Sequence, residues 1–64
     1  MYVNGQFILL QNIISLNELL EKEGYDLQRV AVEKNGNIVP KKNYQTTMLN
    51  DSDKLEIVHF VGGG

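Results

Sequence analysis

Ser15-Leu16-Asn17-Glu18-Leu19-Leu20-Glu21-Lys22-Glu23-Gly24 is the stretch on which the fold of this chain turns. Ser15 and Glu18 have the spacing of a capping box: the serine hydroxyl accepts from the amide three residues on, and the glutamate reaches back to the serine amide. Leu16, Leu19 and Leu20 follow at helical spacing and form one apolar stripe. Glu18 and Lys22 stand in the favoured i,i+4 order, and Gly24 sits where a helix ends in the left-handed conformation. The pattern predicts a short, one-sided helix over 15–24, with Leu27 sealing its exit against the core.

On both sides of this helix the pattern changes to strand. Upstream, Met1-Tyr2-Val3 and Gln6-Phe7-Ile8-Leu9-Leu10-Gln11 flank Asn4-Gly5, a strong hairpin signal because a type I′ turn needs two residues that tolerate positive φ. A period of two puts Met1, Val3, Ile8 and Leu10 on one face and Tyr2, Phe7 and Leu9 on the other. Downstream, 29–34 (Arg-Val-Ala-Val-Glu-Lys) alternates like a strand, Asn35-Gly36-Asn37 repeats the turn signal, and Ile38-Val39 resumes until Pro40, which lacks the N–H of a continuing central strand. Residues 41–53 read as a connection with one helical turn near Lys41–Tyr44 and a turn cluster at Asn50-Asp51-Ser52-Asp53. Lys54 to Val61 is the last strand. One helix must then cover one face of all the strands. The expected fold is α+β: a ubiquitin-like β-grasp, with a mixed sheet of four to five strands, one main helix on one face, and the first and last strands adjacent in the middle. Residues 1–61 form the single domain and 62–64 a flexible glycine tail.

Composition narrows the function. With 64 residues the chain is one domain with a thin core, and few residues can be spared for an enclosed active site. The absence of Cys excludes disulfides, thiolate zinc sites and a thiol nucleophile. A single His argues against a metal cluster. Charged residues are 22% of the chain and the pI is about 5.1, which disfavours a nucleic-acid binder relying on phosphate neutralisation. No apolar run reaches the roughly 20 residues of a membrane span, and the N-terminus lacks the pattern of a secretory signal. The expectation is a soluble, cytoplasmic domain that serves as a partner of enzymes, with no nucleic acid, membrane or bound metal.

Half of the six glycines are Gly62-Gly63-Gly64, directly after the last strand. One reading is a frayed terminus. The other is a thread without Cβ atoms that passes through a narrow channel and delivers the Gly64 carboxylate to a partner's active site. A carboxylate is a poor electrophile, so ATP would first convert it to an acyl-adenylate, and a sulfur nucleophile could then displace AMP to leave a thiocarboxylate.

A β-grasp of this size ending in Ile57-Val58-His59-Phe60-Val61-Gly62-Gly63-Gly64 resembles the ThiS family, the sulfur carriers of thiamine-thiazole biosynthesis. The resemblance covers essentially the whole chain, through the Asn4-Gly5 hairpin, the Val30–Val39 block closed by Pro40, and the Asp51-Ser52-Asp53 turn. Many relatives end in two glycines; Gly62 is a third that precedes them. The resemblance implies that a ubiquitin-activating-type enzyme adenylates Gly64, consuming ATP, that a cysteine-desulfurase persulfide supplies the sulfur, and that thiazole synthase consumes it. The carrier itself is then no enzyme and binds no cofactor. Alternatives within the fold are a molybdopterin-synthase small subunit, which tends to be longer, a ubiquitin-like modifier, and a non-covalent binding module.

If Leu55 and Ile57 point into the core, Val58 and Phe60 join Phe7 and Leu9 on the helix-free face as a partner-binding patch; the competing reading is a shifted register or cover by 41–53. His59 reads as a strand residue near the root of the tail, since it has no nucleophile or orienting acid beside it. Asp51 and Asp53 read as turn formers, Lys41-Lys42 as a solvated pair, and Glu18, Glu21 and Glu23 as helix solvation.

Overall fold

Both Asn-Gly pairs close two-residue hairpins. Asn4 and Asn35 each have φ 52°, and Gly5 and Gly36 have φ 81° and 87°, so both central residues of each turn are left-handed, as a type I′ turn requires. In the computed structural model, which describes residues 1–60, β1 (Tyr2–Val3) and β2 (Gln6–Phe7) flank the first turn. Strand β3 (Ile14–Ser15) runs into helix α1 (Leu16–Lys22). Strands β4 (Val30–Lys34) and β5 (Asn37–Val39) flank the second turn. A 3-10 turn over Lys41–Asn43, β6 (Met48–Leu49) and β7 (Lys54–His59) follow.

The main sheet has five strands in the order β2-β1-β7-β4-β5. β1 and β7 are parallel neighbours and the remaining pairs are antiparallel. The sheet is therefore mixed, with the first and last strands in contact and one helix on one face. That is the expected β-grasp arrangement. Met1, Val3, Val30, Val32, Leu55 and Ile57 point from the sheet into a core closed by Leu16, Leu19 and Leu20 of α1. Leu27 packs against this cluster.

The capping box forms. The Glu18 amide donates to Ser15 Oγ at 3.1 Å, and Glu18 Oε1 accepts from the Ser15 amide at 3.4 Å. Because Glu18 folds back onto Ser15, it makes no ion pair with Lys22; the ion pairs among the described residues are Arg29–Asp26 and Lys34–Asp53. The helix is shorter than 15–24. Ser15 is its N-cap, Glu23 its C-cap, and Gly24 follows at φ 80°.

Three elements depart from the sequence pattern. The second strand ends at Phe7 instead of Gln11: Ile8 still exchanges bonds with Met1, its amide donating to Met1 O at 2.8 Å and the Met1 ammonium to Ile8 O at 3.1 Å, but beyond it the Leu10 amide turns away to Asp51 Oδ1 at 3.3 Å. The connection 41–53 contains β6, which pairs antiparallel with β3 as a separate two-stranded sheet. Two-residue strands carry too little periodicity to be read. Tyr44, assigned to the connecting turn, is 3% exposed and belongs to the core, and burial raises its phenol above the ordinary tyrosine value. Lys41 is not simply solvated, since its Nζ donates to Gln28 O at 2.8 Å. Glu21 accepts from Asn17 Nδ2. The last strand is assigned to His59, and Val61 lies outside the described residues.

Candidate functional site

Strand β7 runs through the middle of the sheet and is the last element of the described residues, so its neighbours fix the position of the chain up to Phe60. Its antiparallel pairing with β4 runs from Lys34↔Leu55 to Val30↔His59. Beyond the last paired residue, the Phe60 amide still donates to Arg29 O at 2.7 Å. Its parallel pairing with β1 is much shorter, Tyr2↔Lys54 and Val3↔Leu55, because the chain turns away at Asn4-Gly5.

The Asn4 side chain continues that edge. Asn4 Oδ1 accepts from the Ile57 amide at 2.7 Å and Asn4 Nδ2 donates to Ile57 O at 3.1 Å. A carboxamide carries one acceptor and a donor in the same plane, so it replaces one peptide group of the missing strand. Asn35 does the corresponding work at the other end. Its Oδ1 accepts from the Lys54 amide and its Nδ2 donates to Asp53 Oδ1, both at 2.9 Å. Both asparagines thus shape a turn with their backbone and hold β7 with their side chain. The Asn-Gly signature revealed only the first role. The use of Asn at both turns, where Asp is an equally good turn former, was the signal for the second: an ionised Asp cannot donate to Ile57 O or to Asp53.

Asp53 is more than a turn former. It is 5% exposed; its Oδ2 accepts from the Asn50 amide at 2.9 Å and lies 4.0 Å from Lys34 Nζ. Burial alone would raise its pKa, but the Asn50 amide, the Asn35 carboxamide, Lys34 and the Met1 ammonium outweigh burial and hold the carboxyl below its ordinary value. Among the described residues, Asp51 accepts from the Leu10 amide alone. His59 is exposed, and among the described residues no group of three or more His, Asp or Glu is placed to hold a metal ion.

The helix-free face is set by alternation. Leu55 and Ile57 are 0% and 7% exposed, whereas Val58 and Phe60 are 58% and 51% exposed. Phe7 and Leu9 are also exposed, and Phe7 meets Tyr2 edge to face with ring centroids 5.5 Å apart. The four apolar positions do not form one strip. Tyr2 and Phe7 are level with Lys54, and Val58 lies four residues further along β7, roughly 13 Å away. Lys54, Glu56 and Glu33 occupy the ground between, and Ala31 pairs with Val58. Gly62, Gly63 and Gly64 lie outside the described residues.

Comparison with known proteins joins this geometry to a family. The ThiS family model matches residues 1–64. A thiazole synthase of Paramagnetospirillum magneticum is 45% identical over 62 residues, 97% of this chain but 19% of that protein; the chain thus spans about a fifth of the thiazole synthase it matches. The sulfur carrier protein ThiS of Bacillus subtilis is 42% identical over 50 residues, covering 78% of this chain and 76% of that one. The crystal structure of a thiamine biosynthesis protein (ThiS) from Geobacter metallireducens superposes with a TM-score of 0.82 at 29% identity, over 98% of this chain and 96% of that one.

Proposed function

The chain belongs to the ThiS family, and from that membership we propose that it is a sulfur carrier of thiamine biosynthesis whose Gly64 carboxylate bears the sulfur. In the first step a ubiquitin-activating-type enzyme transfers AMP from ATP to the carboxylate, releasing pyrophosphate. A cysteine-desulfurase persulfide then attacks the acyl carbon and expels AMP, and a thiol cleaves the resulting acyl disulfide to leave the thiocarboxylate. Thiazole synthase consumes the thiocarboxylate. The partners supply the catalytic groups, and this chain supplies a substrate on a rigid handle.

The observation that carries the reading is the agreement between the family match over 1–64 and the ThiS fold neighbour at a TM-score of 0.82. Thiazole synthase as a partner is supported by the relatives bearing that name, one of them 45% identical to this chain over 62 residues. Within the fold, β7 gives the tail a fixed root: Asn4 and β4 hold it from both sides up to Ile57, and the bond from Phe60 to Arg29 holds it beyond. Val58 and Phe60 near that root, with Phe7 at the opposite corner, form the surface the partners grip; Leu9, expected beside Phe7, lies past the end of β2 and lines a cavity with Leu19, Lys22 and Glu23 of the helix side instead.

The test is the intact mass of the protein after incubation with ATP, the adenylating enzyme and a sulfur donor. A gain equal to exchanging one oxygen for sulfur, mapped to Gly64, is the expected result, and one residue added after Gly64 abolishes it. If the added residue leaves conversion intact, or the wild type never gains the mass while a known carrier does, the reading fails.

A further inference from the structure

Asn4-Gly5 and Asn35-Gly36 are the two Asn-Gly pairs of the chain, and this dipeptide has a chemistry beyond its turn. The backbone nitrogen of an unhindered glycine can attack the carboxamide carbon of the asparagine before it. The new bond from that nitrogen to Cγ closes a five-membered succinimide, and Nδ2 leaves as ammonia. Water then opens the ring at either carbonyl to give aspartate or isoaspartate. Nothing is oxidised or reduced, and solvent supplies the water and carries the protons. Ring closure needs a free carboxamide. It also needs a rotation about ψ, because in the left-handed conformation that both asparagines adopt the glycine nitrogen points away from Cβ.

The fold withholds both conditions at both turns, but not equally. Asn35 Nδ2 donates to the buried Asp53 and Asn35 Oδ1 accepts from the Lys54 amide, so freeing this side chain deprives a buried carboxylate of a donor. The stem of its turn is β4, which pairs with β7 at five positions. Asn4 is bound by the Ile57 amide and carbonyl alone, groups that water can satisfy once the turn swings out. Its stem, β1, meets β7 at two pairs, and β2 is a two-residue strand at the edge of the sheet. We propose that Asn4 is the deamidation site of this protein, exposed to reaction by local opening of the β1–β2 hairpin, and that Asn35 is protected. The product no longer holds β7. An ionised aspartate there has no donor for Ile57 O, and an isoaspartate adds a methylene to the backbone of the turn.

The experiment is incubation of the folded protein at mildly alkaline pH beside the same protein in urea. Peptide mapping follows the mass change for NH2 replaced by OH at each site. The rate in urea gives the intrinsic reactivity of each pair, so the ratio of urea to folded rate measures protection site by site. Protection at Asn4 should be about tenfold or more, since two hydrogen bonds must break, and it should be larger still at Asn35. Asn4 should therefore convert first in the folded protein. Phe7→Ala removes the ring packed edge to face on Tyr2 without touching Asn4 or Gly5. It should speed folded conversion at Asn4 about twofold or more and leave Asn35 unmoved. Conversion at Asn35 ahead of Asn4, at neither site, or at Asn4 as fast as in urea overturns the proposal. Acceleration of neither site by Phe7→Ala, or of both equally, overturns opening of the hairpin as the route.

Discussion

On β7, Leu55 and Ile57 are 0% and 7% exposed, while Val58, the next residue, is 58% exposed. The two faces of the sheet are built from alternate residues of the same strands and differ in what they contribute. The covered face joins Val30, Val32, Leu55 and Ile57 to the leucines of α1 and holds the fold. The open face carries Tyr2, Phe7, Val58 and Phe60 beside Lys54, Glu33 and Glu56, and among the described residues neither glutamate forms an ion pair. These side chains contribute little to the core. The comparison makes separable claims: covered positions govern unfolding, open positions govern partner affinity, and the turns between them set the register.

The largest expected effect is on the covered face. Leu55 is fully buried in the strand that contacts both β1 and β4. Leu55→Ala should cost about 2–5 kcal/mol. A domain of this size holds roughly 3–10 kcal/mol in all, so chemical denaturation should find the variant marginal or unfolded. A near-normal midpoint would break the division between faces.

Next come the two asparagines. Replacement by Gly keeps the left-handed backbone available and removes only the carboxamide. Asn35→Gly should cost more than Asn4→Gly, each about 1–2 kcal/mol, because Asn35 also supports the buried Asp53 whereas Asn4 bonds only to the backbone of β7. Equal costs, or a larger loss at Asn4, would show that Asp53 does not depend on Asn35.

Asp53 adds a pH dependence of fixed sign. Its folded pKa lies below its ordinary value of 3.8. Its contribution is therefore complete above the unfolded pKa and is lost as the pH falls through the lower folded value. Stability should decline in acid below about pH 4, and Asp53→Asn should flatten that part of the profile while lowering stability at neutral pH. An unchanged acid limb would remove Asp53 as its source.

The sequence disclosed much of this because the deciding signals were local. The capping box at Ser15 and Glu18, the two Asn-Gly turns, and the alternation around Val32 and Ile57 each operate within a few residues, and together they leave one helix to cover one sheet. What stayed hidden depends on pairing across the chain. That Glu33 opposes Glu56, that Asn4 reaches Ile57, and that Met48–Leu49 pairs with Ile14–Ser15 are facts of register between segments far apart in sequence. Tyr44 was missed for a related reason: it lies in a polar connection and is buried only because that connection crosses the core.

The smallest expected effect on stability sharpens the comparison most. Phe60 is 51% exposed and lies just beyond the last residue of β7, with its backbone held by Arg29 O. Truncating the side chain leaves that backbone bond in place and removes an exposed ring, so Phe60→Ala should shift stability by less than about 0.5 kcal/mol. In titrations against the adenylating enzyme and thiazole synthase it should weaken binding, because an aromatic side chain that a partner covers contributes disproportionately to affinity. A loss of stability without a loss of affinity would assign Phe60 to the covered side and confine the docking face to Val58.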